Sequence, residues 1–149
     1  MFLTLLAFVI SISVIVALLE VQIEGKNGWA KNLPTWRVDN RFITFILGPY
    51  HPLTGYHLFL NILVIYFFHF PFFVGLIWTA AFELKILSFY LLFWVIEDFL
   101  WFVLNPNFGV KKFKKGEIPW HTRWFLGIPY TYYRFLILCI LLYLLSLYV

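Results

Sequence analysis

The chain of 149 residues contains little charge and a single cysteine. Charged residues make up 12% of it, against about 25% in a typical soluble domain. One cysteine, Cys139, excludes an intrachain disulfide framework and a cluster of thiolate metal ligands. Hydrophobic residues instead make up 63% and aromatic residues 23%. This composition predicts a single integral membrane domain over residues 1–149, with no room for a separate soluble domain.

Several catalytic patterns are also missing. The four serines lie far from every histidine in the sequence, which argues against a Ser-His-Asp hydrolase. No glycine-rich phosphate loop, dinucleotide fingerprint, H-E-x-x-H or Glu-x-x-His spacing is present. A bis-histidine haem would need a second mid-membrane histidine opposite His69, and no other apolar run provides one. Any chemistry must therefore come from other combinations of polar side chains.

Four long apolar runs predict four transmembrane helices. Their bounds are Phe2–Leu19, Tyr56–Trp78, Leu84–Leu104 and Pro129–Val149. The first run lacks a basic start and a small-residue cleavage site, so we interpret it as a retained helix. Phe42–Leu47 is too short to span and is followed by a turn at Gly48-Pro49, which predicts an interfacial or re-entrant helix before the second span. The predicted fold class is all-α: a polytopic membrane protein built on a four-helix transmembrane bundle.

Two long loops, one after the first span and one after the third, contain nearly all of the eleven Lys and Arg residues. By parity both loops lie on one face of the membrane. The positive-inside rule predicts that this face is cytoplasmic and that both termini are outside. The lysines expected to contact anionic lipid headgroups are Lys111, Lys112, Lys114 and Lys115. This basic patch is too short to indicate nucleic-acid binding.

Glu97 and Asp98 lie side by side inside the third apolar run, eight residues before its polar end at Asn105. That spacing corresponds to roughly 12 Å of helix. An acid at such depth costs on the order of 2.5 kcal/mol or more, so it usually faces a bundle interior, a cavity or a cation. Neighbouring helix positions diverge by about 100°, so the two acids can border one cavity and still have different partners. We predict that this acidic pair is the centre of a polar site.

Other polar side chains are predicted at the same membrane level as the acidic pair. His57 and Asn61 are four residues apart, on one helix face near the start of the second span. His121 lies between Trp120 and Trp124 in the second long loop. Interfacial tryptophans would hold this segment over the cytoplasmic mouth of the bundle. We therefore expect His57 and His121 to approach the acidic pair.

Glu20 and Glu24 share a helical spacing at the end of the first span. We interpret Glu20 as an acid solvated at the membrane surface, and Glu24 as a residue placed by the turn at Gly25 and Gly28. The predicted catalytic residues and metal ligands are Glu97, Asp98, His57 and His121, with Glu24 as a further metal ligand. The predicted substrate-binding residues are Arg37, Arg123, Arg134 and Asn61.

Three functions are compatible with these residues. The favoured one is a membrane-embedded enzyme that acts on a lipid or other apolar substrate at the cytoplasmic leaflet, through a divalent cation or an acid/base pair held by the carboxylates and histidines. Carboxylates with imidazoles suit Zn, Mn or Fe, and Mg would suit a site without histidine. The second is a cation or proton carrier assembled as a homo-oligomer, with His69 in its relay. The third is an accessory subunit whose acids pair with basic residues of a membrane partner.

Overall fold

The computed structural model describes residues 2–47 and 52–149, and these are mostly helical. The α-helices in these ranges are α1 (Phe2–Glu24), α2 (Arg41–Leu47), α3 (Gly55–Phe73), α4 (Ala80–Leu104) and α5 (Tyr130–Leu145). Within the described residues, α1, α3 and α4 are long and apolar enough to cross a membrane, and α5 is a shorter apolar helix. This architecture agrees with the predicted helical membrane protein.

Helix α3 is shorter than the apolar run that contains it. It begins after Thr54, whose hydroxyl caps the helix by accepting a hydrogen bond from the backbone nitrogen of His57. It ends at Phe73, two residues after Pro71, whose nitrogen has no hydrogen to donate to the preceding turn. The chain then passes through Gly75 at a φ of +107°. The predicted second span therefore extended too far toward the C-terminus.

Helix α4 is the central helix of the bundle. Helices α1 and α5 both pack against it extensively, whereas α3 contacts it more lightly. A buried apolar cluster joins α1, α3 and α4, and its members are Val9, Val16, Val64, Phe68, Phe89 and Phe93. Packing of these side chains holds α3 against α1 and α4, through the close van der Waals contacts that drive helix association in a bilayer.

The two long loops fold back over the same end of the helices. The second loop contributes Ile118 and Trp120 to a buried cluster with residues of α1 and α4. Asn105, only 1% exposed, follows α4 and donates a hydrogen bond from Nδ2 to the Gly25 carbonyl at 2.9 Å. Gly28 has a φ of +60°, and a Cβ added there would lie 2.6 Å from Cη2 of Trp120. The loops are therefore packed on each other and on the helix ends.

Two short antiparallel ladders connect the loops to the helices that follow them. Strand β1 (Arg37–Val38) pairs with β2 (Leu53–Thr54), which leads directly into α3. Strand β3 (Trp124–Phe125) pairs with β4 (Ile128–Pro129), which leads into α5. Helix α2 lies between β1 and β2, where a short helix was predicted. The turn predicted after it, at Gly48-Pro49, lies outside the described residues.

Candidate functional site

A cavity of about 260 Å³ lies at the loop end of the bundle, with walls from α1, α3, α4, α5 and both loops. The structure places seven of the predicted site residues on its wall: Glu24, His57, Asn61, Glu97, Asp98, His121 and Arg134. Arg37 and Arg123 are not among the lining residues. Glu20, which was not predicted as a site residue, also lines the cavity.

Two acids and one imidazole form the first cluster on this wall. Glu20, Glu24 and His57 each direct one potential ligand atom to a region in which these atoms lie within 4.8 Å of one another. Nε2 of His57 is 3.4 Å from Oε1 of Glu24. The same Oε1 accepts a hydrogen bond from the backbone nitrogen of Ala30 at 2.5 Å, which fixes the Glu24 carboxylate against the first loop.

The orientation of His57 is set by its neighbours. Its Nδ1 is 2.7 Å from the hydroxyl of Thr54, the residue that caps α3. Its ring stacks on Trp29 with a centroid distance of 4.3 Å. Because Thr54 is bound to Nδ1, the ring presents Nε2 to the acids. This is the arrangement by which outer partners commonly orient a metal-binding histidine.

Glu97 extends the first cluster from the opposite side. Its carboxyl group is in hydrogen-bond contact with that of Glu20, and the two residues are 3% and 6% exposed. Oε1 of Glu97 has no hydrogen-bond partner within the described part of the chain. Two carboxyl groups in contact either share a proton, so that only one is charged, or are both ionised around a cation. The interpretation of Glu20 as a surface-solvated acid was therefore wrong, because the folded loops bury it.

Asp98 belongs to a second cluster. Its Oδ2 is 3.0 Å from Nε2 of His121 and accepts a hydrogen bond from the hydroxyl of Tyr132. The indole of Trp124 donates to the His121 carbonyl at 2.5 Å and fixes this part of the second loop. The structure thus divides the predicted ligand set: Glu97 turns toward Glu20, and Asp98 turns toward His121.

The predicted substrate-binding arginines have different environments. The guanidinium of Arg37 donates to backbone carbonyls of the first loop, including those of Ala30 and Thr35. Arg37 therefore organises the loop instead of facing the cavity. Arg123 is exposed on the second loop, outside the cavity wall. Arg134 is also exposed but lines the cavity from the second turn of α5.

Asn61 is held by hydrogen bonds within the protein. Its Oδ1 accepts from the hydroxyl of Tyr90 at 2.6 Å, and its Nδ2 donates to the His57 carbonyl at 2.7 Å. By contrast, the buried atoms Nε1 of Trp101 and Oγ1 of Thr131 have no hydrogen-bond partner among the described residues, although both side chains line the cavity.

The sequence analysis did not identify Glu20, Tyr132, Trp101 or Thr131 as site residues. A signal existed for Glu20, because it lies four residues before Glu24 on one helix face. The other three lie in apolar, aromatic-rich runs, where composition does not distinguish a cavity-facing ring from a packing one. Their roles are visible only from the fold.

Comparison of the chain with protein-family models, with curated proteins and with solved structures finds no match. Its class is therefore defined by its own architecture. It is a mostly helical protein with helices able to cross a membrane, and it carries a cavity lined with buried carboxylates and imidazoles at one end.

Proposed function

We propose that the protein is a cation-dependent, membrane-embedded enzyme that acts on a lipid or other apolar substrate. The observation that carries this proposal is the convergence of Glu20, Glu24 and His57, whose candidate ligand atoms lie within 4.8 Å of one another, on a cavity wall that also includes Glu97. A divalent cation would balance charges that otherwise repel one another. Carboxylates with one imidazole suit Zn, Mn or Fe, and Mg would require His57 to remain outside the coordination sphere.

The chemistry available here has two parts. A cation held by the first cluster would polarise a substrate oxygen or activate a water molecule. Oε1 of Glu97, which has no hydrogen-bond partner in the part of the chain that is described, is the acceptor best placed to complete such a site. Asp98 and His121 add a hydrogen-bonded carboxylate and imidazole on the same cavity. Such a pair is the usual means of moving a proton in general acid–base catalysis.

We infer that α5 completes a bundle of four membrane spans. Its sixteen residues, Tyr130–Leu145, give about 24 Å of helix, slightly less than the roughly 30 Å of a hydrocarbon core. The helix runs along α4 from the Tyr132–Asp98 contact to Cys139, whose carbonyl accepts a hydrogen bond from Ser88. Ten residues separate Asp98 from Ser88, so the two helices stay together over about 15 Å.

The distribution of positive charge supports cytoplasmic loops and external termini. The lysines Lys111, Lys112, Lys114 and Lys115 are exposed, as contact with anionic headgroups requires. Cysteines at Lys26 and Lys114, in a background that lacks Cys139, would report the sidedness through a membrane-impermeant thiol reagent. We expect labelling only after the membrane is opened. Labelling at both positions in intact cells would instead show that the loops face the outside.

Elemental analysis of the purified protein tests the cation directly. We expect about one equivalent of Zn, Mn or Fe per chain, and its loss in Glu20→Gln and His57→Asn. Glu83→Gln is the matched control. Glu83 lies at the other end of α4, where its Oε1 is 3.1 Å from Nε2 of His69. Absence of metal after reconstitution, or equal loss in the control, would refute the metal site. A protein stable only with a second polypeptide would then favour the accessory-subunit function.

A further inference from the structure

The cavity changes character along its length. Glu97 lies at its polar end, and Leu91 lies six residues earlier on α4, about 9 Å farther from the loops. Around Leu91 the wall also contains Trp94 and Phe135. A cavity with carboxylates at one end and apolar side chains at the other fits a molecule with a polar head and an apolar chain.

The cavity lies between two helices that scarcely contact each other. Helices α3 and α5 both pack on α4 but have at most slight contact with one another. Both contribute to the wall, α3 through Asn61 and α5 through Thr131. On the same two helices, Ile62 and Leu138 are 44% and 45% exposed, as expected for side chains that face lipid. The gap is therefore a route by which a molecule could reach the cavity sideways from the bilayer.

Arg134 supplies positive charge at this gap. It lines the cavity, and within the described residues its guanidinium makes no hydrogen bond or ion pair. The residues that follow it, Phe135–Leu142, are apolar. A guanidinium in such surroundings favours a phosphate or carboxylate, which it can bind through two parallel hydrogen bonds.

We propose that the ligand of this cavity is an anionic amphiphile, a lipid bearing a phosphate or carboxylate group, which enters between α3 and α5 and is bound at that group by Arg134. Its chain lies along Leu91 and Phe135, and its polar end reaches toward Glu97. The assignment of this lipid as the substrate rests on the proposed enzymatic function. Binding is a separate property that can be measured without turnover.

Native mass spectrometry of the purified protein in detergent tests the binding with three probes. Dioleoyl phosphatidic acid carries both anion and chains, dioleoyl phosphatidylcholine carries the chains without net charge, and inorganic phosphate carries the anion alone. We expect one phosphatidic acid per chain, bound at least about tenfold more tightly than phosphatidylcholine and not displaced by equimolar phosphate. Equal binding of the two lipids would show that the cavity does not recognise the anionic headgroup. Displacement by equimolar phosphate would show that the ligand is a free anion and not a lipid.

Arginine variants test the residue assigned to the headgroup. Arg134→Gln should weaken phosphatidic acid binding at least about tenfold, and Arg134→Lys should restore part of it because the charge returns. Arg123→Gln is the matched control, since it removes the same charge from an exposed position outside the cavity wall. Equal weakening by Arg123→Gln and Arg134→Gln would show that only overall charge matters and would overturn the assignment.

A cavity-filling variant tests the position of the chain. Leu91→Trp should abolish binding of phosphatidic acid, whereas Leu18→Trp, at an exposed position of α1 outside the cavity wall, should preserve it. Retained binding in Leu91→Trp would place the chain elsewhere.

Metal analysis of the same samples separates the two hypotheses. Metal without lipid selectivity would contradict this inference alone, and lipid selectivity without metal would contradict only the proposed cation-dependent function.

Discussion

Replacement of Glu97 by Gln should have opposite effects on the metal-free and metal-loaded protein. Glu97 is 3% exposed, contacts the Glu20 carboxyl and carries an oxygen without a partner among the described residues. Without a cation, the two carboxyl groups must share a proton, which costs stability at neutral pH, where an exposed carboxyl is ionised. Gln is almost isosteric with Glu, is neutral, and can donate a hydrogen bond to Glu20.

The expected gain is that of a hydrogen bond donated to the Glu20 carboxylate without uptake of a proton, about 1.5–3 kcal/mol. For a chain of this size, each kcal/mol corresponds to roughly 2–4 °C in Tm. The chelator-treated Glu97→Gln variant should therefore melt about 3–12 °C above the chelator-treated parent. In the presence of metal the order should reverse, because the parent gains stability from the bound cation and the variant has lost a ligand.

Tryptophan fluorescence during heating in detergent measures both states. Ser88→Ala, which alters a buried polar group of α4 away from the cavity, controls for general loss of packing. If Glu97→Gln lowers Tm equally with and without chelator, Glu97 is a structural acid. Its contact with Glu20 then does not destabilise the metal-free protein.

The remaining predictions concern the loops and the second cluster. Asn105→Ala should lower the free energy of unfolding by about 1–3 kcal/mol, because it leaves the Gly25 carbonyl without its donor; thermal melting checks this, and an unchanged Tm would contradict it. Gly28→Ala should loosen the packed loops, because its Cβ would lie 2.6 Å from Trp120; faster limited proteolysis within the loops is the readout, and Gly25→Ala, with nothing within 4 Å, is the control for left-handed strain. His121→Ala should abolish turnover while the bound metal, measured by elemental analysis, is retained. Loss of the metal would contradict this prediction and would indicate that His121 is a ligand.

The sequence predicts the helices better than their ends. Long apolar runs identify α1, α3 and α4 because a bilayer requires a minimum length of apolar helix. The end of α3 could not be read from hydropathy, since the run continues to Trp78 while Pro71 and Gly75 end the helix. Hydropathy averaged over the run does not detect that the nitrogen of Pro71 lacks a hydrogen to donate.

The sequence predicts those site residues whose burial in a membrane is costly. It does not predict which side chains they contact in the folded protein. Glu97 and Asp98 are conspicuous because acids are rare inside apolar runs. Their divergence on the helix was expected, but the partner of each depends on how α1 and the second loop pack around α4. Glu20 was misinterpreted for the same reason: a helix end resembles the membrane surface unless the loops are known to cover it.

The first loop also connects two candidate ligands through an unbroken series of contacts. Glu24 binds the nitrogen of Ala30, whose carbonyl binds Arg37; Arg37 pairs in register with Thr54, which orients His57. The spacing between these ligands is thus set by backbone that never touches the cavity. If the proposed cation binds here, a spacing fixed in this way would favour cations of one size. Substitution of Arg37 would then alter ion selectivity from a distance.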